Sequence, residues 1–124
     1  MRFPLEFPDS ELRDVVADGG VVRLRLAAAA VRDDGGERGW LASVQLEFSN
    51  AALQGDTTHA FGKISQGTLR DGARAVAPLQ VPGTMAGELD LTLLLANGTR
   101  FFVRADALAA TVAADARFSP DLSC

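Results

Sequence analysis

Residues 89–106 read LDLTLLLANGTRFFVRAD, two strongly apolar runs joined at Asn97-Gly98. Asn-Gly between such runs is a strong hairpin signal, because both residues tolerate the positive φ of a tight turn. Two registers compete. A two-residue loop sets Leu91 against Arg104 and Leu89 against Asp106, which places charge on the leucine face. A three-residue loop, Ala96-Asn97-Gly98, shifts the ladder by one. Leu93 then faces Phe101, Leu91 faces Val103 and Leu89 faces Ala105, while Asp90 meets Arg104 on the other face as an opposite-charge pair. Gly98 falls at the left-handed position that closes such a loop. The sequence predicts this second register.

The other face of the same hairpin is not cleanly polar. Leu94 stands beside Arg100 and Phe102 opposite Thr92, so Leu94 and Phe102 become diagonal neighbours. Isolated surface apolar residues are ordinary, but two adjacent ones favour a covered surface. The cover is another part of the chain, a second copy or a ligand. Leu94 and Phe102 are therefore the candidate interface residues.

Upstream, WLASVQLEFSN (40–50) alternates strictly: Ala42, Val44, Leu46 and Phe48 on one face, Ser43, Gln45, Glu47 and Ser49 on the other. Val22, Leu24 and Leu26 alternate with Arg23 and Arg25 in the same way. The polar connection VRDDGGERGW joins these two strands into a long hairpin. Asp18-Gly19-Gly20 marks another turn before them. Its register stays open between Asp14 beside Arg23 and Leu12 beside Leu26.

Residues 51–68 are irregular, with short strands expected at 61–64 and 68–76 and a turn at Asp71-Gly72. Pro78 and Pro82 make APLQVPGTMAG an edge or a connection, because proline withholds a ladder donor. The tail 106–117 admits two readings. Asp106 could cap a short C-terminal helix with Leu108 and Val112 four apart. As a strand, Leu108, Ala110, Val112 and Ala114 share a face, and β-branched Thr111 and Val112 favour that choice.

The expected fold is mainly β: one domain, 1–124 with a proline-punctuated leader at 1–10, forming an antiparallel β-sandwich or flattened barrel of about seven to eight strands. Leu46, Phe48, Leu91, Leu93, Phe101 and Val103 lead the expected core.

Composition narrows function mainly by exclusion. Twelve basic and sixteen acidic residues leave a net charge of −4, which argues against a phosphate backbone as partner. There are seven phenylalanines, one tryptophan and no tyrosine, and several phenylalanines fall on apolar faces. That leaves few aromatics for stacking single-stranded bases. FSNAALQG (48–55) lacks the serine of the [DN]xSxxG motif found in the small bacterial barrel that binds cyclic dinucleotides, so that function is not carried over. The one cysteine, Cys124, excludes an internal disulfide and reads as a solvent-facing or lightly packed thiol. No apolar run approaches the roughly 20 residues a membrane helix needs. Pro4, Glu6 and Pro8 interrupt any signal-sequence pattern. The expected setting is cytoplasmic, without membrane or nucleic-acid partner.

His59 is the only histidine, and Asp56 precedes it by three residues in GDTTHAF. A hydroxyl nucleophile with a carboxylate-oriented imidazole would need these residue types. His59 and Asp56 are therefore the candidates for an enzymatic site, although no nucleophile elbow accompanies them. Asp33, Asp34 and Glu37 offer oxygen ligands without the stagger of a calcium loop, and they read as a solvated hairpin tip. No metal and no cofactor is expected. The leading functional expectation is a non-enzymatic binding or assembly module that self-associates. The alternatives are a carrier of a small apolar ligand inside the barrel and a hydrolase-like enzyme centred on His59.

Overall fold

In the computed structural model, which describes residues 2–120, strand β8 (Gly83–Leu95) pairs with β9 (Arg100–Val112) in the charge-avoiding register. Leu93 faces Phe101, Leu91 faces Val103, Leu89 faces Ala105 and Asp90 faces Arg104. The Thr99 carbonyl accepts from Leu95 N–H at 2.8 Å, and Gly98 closes the loop at φ 90°.

Ten strands form one antiparallel sheet. The others are β1 (Phe3–Asp18), β2 (Val21–Arg32), β3 (Arg38–Ser49), β4 (Ala52–Gln54), β5 (Gly62–Asp71), β6 (Arg74–Ala75), β7 (Leu79–Val81) and β10 (Phe118–Pro120). Six close into a barrel in the order β3-β2-β1-β5-β8-β9, with β9 returning to β3 through Val44↔Val112 to Ser49↔Ala107. The short strands β4, β6, β7 and β10 pair with β9, β5, β1 and β3 beyond the ring.

The expected core residues Leu46, Phe48, Leu91, Leu93, Phe101 and Val103 are all at most 1% exposed. They are joined by Leu24, Leu26, Ile64 and Leu69, so the inward positions of every barrel strand meet in one apolar cluster. The alternation in the sequence is thus the alternation between barrel interior and outer wall.

Several expectations change. Residues 106–112 continue β9 and do not form the alternative short helix, but 113–117 leave the strand, so Ala114 does not share its face; the described residues contain no helix. The strands expected at 61–64 and 68–76 are one strand, β5, which turns at Gly72 into the two-residue β6. The stretch 77–87, by contrast, is edge strand as expected: among the described residues β7 pairs only with β1, and Gly83–Ala86 of β8 pair only with β9, the β5 ladder starting at Leu89. Strand count rises to ten because four strands are only two or three residues long. Cys124 lies outside the described residues.

The first hairpin keeps the Leu12–Leu26 pair and not the Asp14–Arg23 pair. Leu12 faces Leu26, but Asp14 faces Arg25 and Val16 faces Arg23, because a bulge separates Leu12 from Asp14. Arg25 Nε donates to Asp14 Oδ1 at 2.6 Å and its Nη2 to the other carboxylate oxygen, a bidentate pair on the outer wall.

Candidate functional site

β1 is the strand that shapes an apolar cleft on the barrel wall. Its ladder with β2 shifts again between Glu6 and Glu11. Asp9 takes a positive φ of 72° in this kink. Ser10 ties the kink inward: its hydroxyl donates to the Glu6 carbonyl at 2.7 Å and accepts from Ala30 N–H at 2.9 Å. It is the one fully buried polar side chain among the described residues. On the outside, Asp9 accepts from Arg38 of β3 at 2.6 Å and lies 3.0 Å from Lys63 of β5. The Arg38 bond, then that from Lys63, holds the Asp9 carboxyl below the usual carboxylate range.

Because of this kink, β1 and β5 form only two ladder pairs, Glu11↔Lys63 and Leu12↔Gly62. Past them the chain crosses from β5 to β1 as a separate strap. β6 anchors it to Arg70 and Asp71, and Val76 N–H donates to Leu69 O at 2.8 Å. β7 anchors its far end to Phe3, Pro4 and Leu5. Between kink, β5 and strap lies a cleft of about 570 Å³, walled by Phe7, Pro8, Gly67, Val76, Pro78 and Leu79. Such a volume lies within the range of small-molecule sites.

Three polar side chains reach this cleft: Glu6, Thr68 and Arg32. Arg32 Nε stands 3.3 Å from Glu6 Oε1, and Arg32 Nη1 donates to the Gly36 carbonyl at 3.0 Å. Glu6 Oε1 is shielded from solvent yet makes no hydrogen bond, so the ion pair is poorly directed. Arg32 also faces Arg38 directly across the β2–β3 ladder. Like charges directly opposite repel, and Glu6 and Asp9 are the carboxylates that offset them.

His59 and Asp56 line a second, more polar cleft of about 390 Å³ with Asn97, Gly98, Thr99 and Arg100. The structure brings the two candidates to one place but not into contact as a dyad. Asp56 Oδ1 accepts from the Thr58 N–H at 2.9 Å and from the Thr58 hydroxyl at 2.6 Å. These Thr58 bonds, hydroxyl first, lower the Asp56 carboxyl, and the His59 charge contributes least. The exposed His59 ring meets Phe61 edge-on at 6.3 Å between centroids. Its backbone carbonyl is the anchored atom, accepting from Asn97 Nδ2 at 2.9 Å and Thr99 Oγ1 at 3.3 Å.

Leu94 and Phe102 lie on the outer wall, Leu94 half-buried beside Arg100 and Gln66, and Phe102 between Thr92 and Gln54. Strand β4 borders Phe102 but leaves it 40% exposed. Asp33 serves its own turn, accepting at Oδ1 from the Gly35 and Glu37 N–H groups.

Comparisons with family models, with curated proteins and with solved structures give no match. Among the described residues no helix is long and apolar enough to cross a membrane, and no three His, Cys, Asp or Glu side chains gather as a metal site.

Sequence reasoning missed the cleft and its residues Phe7, Gly67, Val76 and Arg32. One signal was present: Gly67 interrupts an otherwise regular strand, and a glycine there marks close approach of another segment.

Proposed function

We propose that this barrel is a non-enzymatic binding module whose ligand is a small apolar molecule held in the cleft between β1, β5 and the strap. The cleft carries this reading: its walls are apolar, and few polar groups converge on it. The carrier alternative therefore moves from the barrel interior, which the leucine and phenylalanine core occupies, to the barrel wall. A cytoplasmic setting is part of the same proposal, supported by the single cysteine of the chain.

A lipophilic fluorescent dye tests it. The protein should bind the dye saturably at one site. Ala77→Trp, on the exposed strap beside the cleft, should weaken binding by about tenfold or more without lowering the melting temperature. Dye affinity unchanged by that tryptophan would refute the site.

A second reading, self-association through the outer wall, is favoured by the exposure of Phe102 next to Leu94. A native mass spectrum should then show a dimer or larger species. Leu94→Glu or Phe102→Glu should reduce it to monomer; a monomeric wild-type protein would end this reading.

A further inference from the structure

We infer that the cleft selects an aliphatic chain ending in a carboxylate, with the chain against the strap and the head group on Arg32. This rests on the cleft being the binding site.

The walls indicate the chain. Pro8, Val76, Pro78 and Leu79 are aliphatic, and Phe7, the one aromatic ring lining the cleft, is only 6% exposed. A flat aromatic ligand therefore finds no ring face to stack on. Three of the lining residues are prolines, which offer no backbone N–H. Polar recognition thus falls to Thr68, Glu6 and Arg32.

The charges indicate the head group. Arg32 faces Arg38 across the ladder, and Lys63 joins Arg38 on Asp9. Arg32, Arg38 and Lys63 stand here with the carboxylates Glu6 and Asp9, and Glu11 faces Lys63 across the β1–β5 ladder. Asp9 already receives two cations, whereas Arg32 has only the 3.3 Å contact with Glu6 as its ion pair. A guanidinium presents a fork that matches a carboxylate. A ligand carboxylate at Arg32 would replace the poorly directed Glu6 contact and relieve the Arg32–Arg38 repulsion. Glu6 is then the competitor of the ligand for Arg32.

Three ten-carbon ligands of equal chain length separate the possibilities: decanoate, decanol and decylamine, each measured by displacement of the dye. Decanoate should bind about tenfold or more tightly than decylamine, and its advantage should shrink with added salt. Arg32→Gln should abolish the preference while leaving decanol affinity unchanged. Glu6→Gln should tighten decanoate alone. Equal or tighter binding of decylamine, or a preference that survives Arg32→Gln, would overturn the assignment of the head group. If none of the three displaces the dye, or the dye does not bind, the cleft itself fails as the site.

Discussion

Gly67 of β5 lies directly beneath Phe7 of β1: a Cβ built on Gly67 would stand 2.5 Å from the Phe7 Cβ and 2.7 Å from Leu93 Cδ2. The close approach lets the Phe7 ring reach the core across a seam that ladder bonds do not hold. Gly67→Ala should therefore cost about 1–3 kcal/mol by overpacking. Urea unfolding measures it, and wild-type stability in the variant would mean that β1 and β5 separate easily.

Leu93 is fully buried opposite Phe101. Truncating it leaves a cavity among residues from several barrel strands. Leu93→Ala is expected to lose about 2–5 kcal/mol. An unchanged melting temperature would contradict its place in the core.

Ser10 supplies both a donor and an acceptor where no water reaches. Ser10→Ala orphans the Ala30 N–H and the Glu6 carbonyl together, at a cost of about 1–3 kcal/mol. Dye binding should weaken with it, because the same hydroxyl holds the kink that walls the cleft. A variant as stable as wild type would show that the kink holds itself.

The loop at 56–59 yields an asymmetric pair of outcomes. His59 is held by its backbone carbonyl, so His59→Ala should leave stability nearly unchanged. Asn97 donates to that carbonyl and accepts from Thr99 N–H at 3.0 Å. Asn97→Ala should therefore cost about 0.5–1.5 kcal/mol. The reverse order in thermal melts would give the imidazole a role that its contacts do not show.

Asp14 titrates below its ordinary range because Arg25 donates to it, and Arg25 is raised in return. A carboxyl with a depressed folded-state value stabilises above its unfolded value, about 4. That contribution fades as pH falls through the folded value. Wild type and Asp14→Asn should thus differ by a constant amount at neutral pH and converge below about pH 4. Parallel curves down to pH 2 would remove the pair from the acid limb.

The β8–β9 hairpin was legible because a wrong register would bury Arg104 or Asp106, so charge alone chose between loops. The first hairpin was not, since a bulge lets Leu12 and Asp14 obey different registers, and no local residue announces that shift. His59 and Asp56 drew notice by type, but chemistry depends on which atoms meet, and Asp56 meets Thr58. The cleft was beyond reach for another reason. Its walls at Phe7, Gly67 and Val76 come from separated segments that only barrel closure brings together.

That closure also sets how the chain must fold. β9 borders β4 along its first part and β3 along its last, and the second border joins residues such as Val44 and Val112, roughly 70 positions apart. The neighbouring hairpins can form from local chain, but the ring cannot shut until β9 is complete. Loop-closure entropy is lost before that seam returns any bonds. The β3–β9 seam should therefore be the last to gain protection from hydrogen exchange during refolding, on a timescale of about milliseconds to seconds.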